Sequence, residues 1–196
     1  MISATHLTTA LYGAYRLARA DRNGMAYFDS SLDGFWLSFF AAALVAPIFF
    51  LLMMIRFENG GVDATAFRFF SIEAIAYTIG WILFPLIVYY LIQALERERR
   101  FFGFIIAYNW ASVIQNSVYL PFAIFFELGI LEGHSAELIN LFLLCLVLAY
   151  TWFIAKTALD VNGFVASGIV VLDVGVWIML NMVTDTMLTA LSLIHI

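Results

Sequence analysis

The sequence predicts an all-α, polytopic transmembrane helix bundle of five spans, preceded by an interfacial amphipathic helix. Three observations lead there. Of 196 residues, 64% are hydrophobic and only 12% are charged, against roughly 45–50% apolar and about 25% charged in an ordinary soluble domain. Nine Lys/Arg and fourteen Asp/Glu are too few to coat a soluble surface of this size. The apolar residues also fall in long uninterrupted runs, unlike the alternating segments of an outer-membrane barrel. Helices satisfy their own backbone where no water is present.

A helix crossing a hydrocarbon layer of ~30 Å needs roughly 20 apolar residues at about 1.5 Å each. The first predicted span is Phe35–Ile55, bounded by Asp33 and Arg56. The second is about Phe70–Ile92, closed by the run Glu96-Arg97-Glu98-Arg99-Arg100. The third is Phe101–Phe126 and stops at Glu127; the fourth is Leu138–Ala155 and stops at Lys156. The fifth starts near Phe164 and ends near Val183, before Asp185. No repeat, low-complexity stretch or linker is visible, and residues 35–196 read as one transmembrane domain with a short C-terminal tail.

Residues 1–34 lack the apolar core and cleavage site of a signal peptide. Thr5–Arg19 reads as a short amphipathic helix, with Leu7, Leu11 and Tyr15 on one side and Arg16 and Arg19 on another. Asp21-Arg22-Asn23-Gly24 supplies a stop. The expectation is an anchor lying on the membrane surface, with a mobile tail as the alternative.

Basic residues in short flanks set orientation. Arg16, Arg19, Arg22, Arg97, Arg99, Arg100 and Lys156 fall on one side of a five-span chain, seven in all, and Arg56 and Arg68 on the other. The third-to-fourth loop has Glu127, Glu132, Glu137 and His134 but no Lys or Arg, and the C-terminal tail carries His195. The expected N-terminus is cytoplasmic and the C-terminus lies outside.

Polar residues within spans are the candidates for function, because each costs free energy unless partnered. Asp173 sits near the middle of the fifth span. It reads either as a proton or cation site, or as a neutral carboxyl bonded to another helix. The third span carries Asn109, Ser112, Gln115, Asn116 and Ser117; Asn109, Ser112 and Asn116 recur at i, i+3, i+7 and share a stripe. Asn116 and Gln115 lie at the depth of Asp173, so a contact between the third and fifth spans is expected. That stripe reads as inter-helix bonding or as a solute path. Glu73, Tyr77 and Trp81 share a face, with Arg68 placed to neutralise Glu73.

Pro47, Pro85 and Pro121 all lie within spans, and the pairs Ala42/Ala46 and Gly163/Ser167 read as close-packing sites. Asp160 or Asn162 is expected to cap the fifth span.

Several function classes are excluded. Net charge −5 and one cysteine, Cys145, leave no basic footprint for nucleic acid, no intrachain disulfide and no multi-cysteine zinc site. His6, His134 and His195 lie outside every span and away from metal-pair spacing. No nucleophile elbow, P-loop or dinucleotide fingerprint occurs. The chain therefore reads as no enzyme, without cofactor or metal.

Gly80-Trp81-Ile82-Leu83-Phe84-Pro85, followed by a charged loop and then Phe101 through Tyr108 to Pro121, resembles bacterial members of the Yip-type membrane family. The span count and cytoplasmic N-terminus are similar, over roughly residues 35–183. The Asp-Leu-Tyr-Gly-Pro signature of the eukaryotic branch is absent. The resemblance implies a non-enzymatic polytopic protein, and no functional residue carries over from it. The expected function is a structural or accessory subunit of a bacterial inner membrane, contacting itself or other membrane subunits laterally within the bilayer. The alternative is a small transporter or channel, proton-coupled or not, using Asp173 with Asn109, Ser112, Gln115 and Asn116.

Overall fold

A computed structural model describes residues 3–60 and 64–190. His195 and the rest of the C-terminal tail lie outside the described residues. The chain is all-helical, and seven α-helices occur among the described residues. They are α1 (Ala4–Ala18), α2 (Leu32–Ser38), α3 (Phe40–Glu58), α4 (Ala66–Ala94), α5 (Phe101–Glu127), α6 (Gly133–Leu159) and α7 (Gly163–Ala190). A short 3-10 turn at Arg22–Tyr27 follows α1, and another at Glu98–Arg100 leads into α5.

Among the described residues, four stretches are long and apolar enough to cross a membrane: Leu32–Glu58, which joins α2 and α3, then Ala66–Ala94, Gly133–Leu159 and Gly163–Thr189. The predicted third span, α5, is as long as these but is diluted by its own polar residues. It is also the helix around which the others assemble. It packs against α1, α2, α3 and α6, while α7 lies between α4 and α6. Phe104, Ile105, Ile106, Ala107, Asn109 and Trp110 on α5 are all buried. A helix surrounded by protein does not need the uniform apolarity that lipid demands.

The helices outrun the apolar runs that announced them. Thr65 accepts the Arg68 N–H and starts α4 one turn before Phe70. Asn162 accepts the Val165 N–H at 2.9 Å and caps α7, whereas Asp160 sits in the left-handed region (φ 53°) that closes α6. The first predicted span is interrupted at Phe39. The break is not at Pro47, which lies inside α3, but beside Ser38, whose hydroxyl donates to the Phe35 carbonyl at 2.7 Å. Such back-bonding draws the backbone out of regular helix.

The N-terminal helix is docked on protein. Ser3 caps it, and Ala10, Gly13, Ala14 and Leu17 form its buried face, with Leu7 and Leu11 at the margin. Tyr15, expected on the apolar side, is half exposed. Small residues permit this approach: a Cβ on Gly24 would lie 2.6 Å from the Gly13 carbonyl oxygen. Tyr150 of α6 donates to the Ala14 carbonyl at 2.6 Å and ties α1 to the bundle.

Candidate functional site

Of the polar residues singled out on α5 and α7, Asn109, Gln115 and Asp173 bond to other helices, but not as one path, and exposed Ser117 donates to the Val113 carbonyl of its own helix. Asn109 is fully buried and donates its Nδ2 to the Ser38 hydroxyl on α2 at 2.9 Å. Gln115 turns to α6, donating to the Thr151 hydroxyl at 3.0 Å. Asp173 accepts from the Tyr108 hydroxyl at 2.7 Å. The expected bridge between the third and fifth spans therefore exists, but Tyr108 makes it, not Asn116 or Gln115. Ser112 and Asn116 donate to carbonyls of their own helix, those of Tyr108 and Ser112.

Tyr108 was hidden among many aromatics, yet it precedes Ser112 by four residues and Asn116 by eight. Residues at that spacing share a helical face, and the wall of an open cleft is formed by Tyr108, Ser112 and Asn116 together. The cleft has a volume of about 320 Å³ and lies between α3, α4, α5 and α7. Val45, Phe49 and Met53 line it from α3, and Tyr77, Gly80 and Trp81 from α4. Leu180, Asn181 and Thr184 line it from α7. Charge gathers near the helix ends, where Arg56, Glu73 and Asp185 meet the same space.

The residues at that end are partnered differently from the sequence expectation. Arg68 does not neutralise Glu73; its guanidinium donates to the carbonyls of Met187 and Leu188 at 2.6 and 2.9 Å, at the end of α7. A cation there complements unsatisfied carbonyls and the negative helix terminus. Arg56 donates to Glu127 at 2.7 Å, and Asn59 to the Glu127 carbonyl at 2.7 Å, joining the ends of α3 and α5. Glu73 faces the cleft with no ion pair among the described residues.

At the opposite end, Arg100 reaches Asp160 at 3.1 Å and Lys156 lies over the Trp152 ring at 4.7 Å. Arg16 bonds Asp21 through its guanidinium and donates to the Tyr27 hydroxyl at 2.9 Å. Those bonds hold the Arg16 guanidinium above and the Asp21 carboxyl below their ordinary values. Asp29 is likewise lowered, by hydrogen bonds from the Ser31 side chain and backbone. Among the described residues, no group of three His, Cys, Asp or Glu is placed to hold a metal ion.

Fold and site define a class: an all-helical protein with several helices able to cross a bilayer, consistent with a multi-pass membrane protein, and a mixed polar and aromatic cleft among them. No protein-family model, curated protein or solved structure matches the chain.

Proposed function

We propose that the chain is a five-span, non-enzymatic protein of the bacterial inner membrane, working as a structural or accessory subunit through lateral contacts with itself or other membrane proteins. The observation that carries this reading is where the intramembrane polar groups go. Asn109, Gln115 and the Tyr108–Asp173 pair are engaged by three different neighbours, α2, α6 and α7, so they hold the bundle together. In this reading α5, third in chain order, brings the crossings to five and is shielded from lipid by the helices around it. The N-terminus is cytoplasmic and the C-terminus periplasmic. Arg100 and Lys156 share one end of the bundle, where Arg100 meets Asp160, in support of that orientation.

Residues 1–34 then form a cytoplasmic segment, and α1 lies at the interface with Tyr12 and Tyr15 turned outward. Kinship with the Yip-type family rests on the Gly80–Pro85 and Phe101–Pro121 segments alone. Purification in mild detergent, followed by identification of co-migrating proteins, tests the proposal. A stoichiometric partner or a homo-oligomer is expected; a lone monomer at every protein concentration overturns it.

The cleft favours a second reading, a small transporter or channel. Ser112 and Asn116 line it, and Tyr108 connects its wall to Asp173. Solute or proton flux in proteoliposomes, lost in Asp173→Asn, would establish that reading in place of the first.

A further inference from the structure

The hydroxyls lining the cleft between α3, α4, α5 and α7 share one hydrogen-bonding polarity. Every hydroxyl on its wall donates its proton into the protein. Tyr77 donates to the Ala42 carbonyl at 2.6 Å and Tyr108 to Asp173 at 2.7 Å. Ser112 donates to the Tyr108 carbonyl at 3.0 Å and Thr184 to the Leu180 carbonyl at 2.9 Å. A hydroxyl has one proton and two lone pairs, so acceptor capacity remains at each. Asn116 and Asn181 each direct one amide N–H to the carbonyl four residues back, both at 2.8 Å, leaving on each side chain the oxygen as acceptor and a second N–H.

Charge points the same way. Glu73 and Asp185 bring two carboxylates to the cleft, and neither is ion-paired among the described residues. The cation in the lining, Arg56, is held by Glu127. An anion entering this space would meet acceptors and negative charge. A purely apolar molecule would leave the acceptors unanswered, which is costly away from water. Tyr77, Trp81 and Trp177 border the same space and offer apolar surface to the body of a ligand. The volume, about 320 Å³, is that of a small-molecule site.

We infer that this cleft binds a small organic cation carrying N–H donors, a primary ammonium compound, its charge facing Glu73 and Asp185 and its apolar body against Tyr77, Trp81 and Trp177. Free amines and the ethanolamine headgroup of a phospholipid share this chemistry. Binding requires no flux and so stands apart from both readings of function.

The test is a titration of the whole chain in dodecyl maltoside micelles, read by tryptophan fluorescence, with phenethylammonium as probe. Its neutral and anionic analogues, 2-phenylethanol and 3-phenylpropanoate, serve as comparisons. Saturable binding of the ammonium alone is expected. The Glu73→Gln/Asp185→Asn double variant, with an unchanged emission spectrum in the absence of ligand, should bind about tenfold more weakly. Adding phosphatidylethanolamine to the micelles identifies the source: competition assigns the site to the headgroup, and its absence to a free amine. Equal binding of the alcohol, preference for the carboxylate, unchanged affinity in the double variant, or no saturation below about 10 mM each overturns the inference.

Discussion

Replacing Ser38 with Ala should destabilise the bundle more than replacing its partner Asn109 with Leu. Asn109 is fully buried; its Nδ2 donates to Ser38 at 2.9 Å, and its Oδ1 has no partner among the described residues. Ser38→Ala strands the whole amide. An unsatisfied buried group costs about 1–3 kcal/mol, while hydrogen bonds measured between membrane helices average about 0.6 and reach about 1.7 kcal/mol. A loss of about 1–2 kcal/mol follows. Asn109→Leu instead removes the donor and the orphaned acceptor together, and Ser38 keeps its bond to the Phe35 carbonyl at 2.7 Å. That variant should lie within about 1 kcal/mol of wild type. The double variant should match Asn109→Leu, giving a coupling of about 1 kcal/mol. Unfolding by dodecyl sulfate in mixed micelles, followed through tryptophan fluorescence with Trp110 adjacent to the site, measures all four corners. A neutral Ser38→Ala, or an Asn109→Leu costlier than Ser38→Ala, would refute the reasoning.

Three further outcomes are expected. Asp173→Asn should leave unfolding nearly unchanged, because an amide still accepts from Tyr108, whereas Asp173→Leu should lose on the order of 1 kcal/mol in the same assay. Gly24→Ala should undock α1, since its Cβ would lie 2.6 Å from the Gly13 oxygen and 3.0 Å from the Leu17 nitrogen, both backbone atoms; an Ala10→Cys probe, buried in the wild-type fold, should then label rapidly with maleimide in a Cys145→Ser background. The Arg16–Asp21 contact depresses the Asp21 carboxyl, so its stabilising contribution is fully present above the unfolded value near 3.8 and is lost as pH falls through the lower folded value; the Arg16 Nε–H resonance should report that loss, and Asp21→Asn should abolish the pH dependence.

The helices were legible because apolar runs of about 20 residues have few other uses. Their ends were less so. α6 begins at Gly133 and α7 reaches Ala190, several residues beyond the apolar stretches at Leu138 and Val183, because backbone bonding continues a helix after hydropathy has fallen. The prominence of Asn109, Ser112, Gln115 and Asn116 was visible from their cost in a membrane, but their partners were not. Ser38 and Thr151 are single hydroxyl residues in apolar text, and only packing shows that they face Asn109 and Gln115. The interruption at Phe39 was equally hidden, since the prolines were the evident breakers and Pro47 is accommodated within α3. The cleft is lined by residues of four helices that run from Val45 to Asp185, so no local pattern announced it.

On the five-span proposal α5, despite its polar content, crosses the membrane within the ring of its neighbours. A reporter active only in the cytoplasm, fused after Arg100 and separately at His134, tests it most directly, because these positions flank α5. Activity after Arg100 and silence at His134 is the predicted result. Equal activity at both positions would place the two ends of α5 on one side and contradict the five-span account.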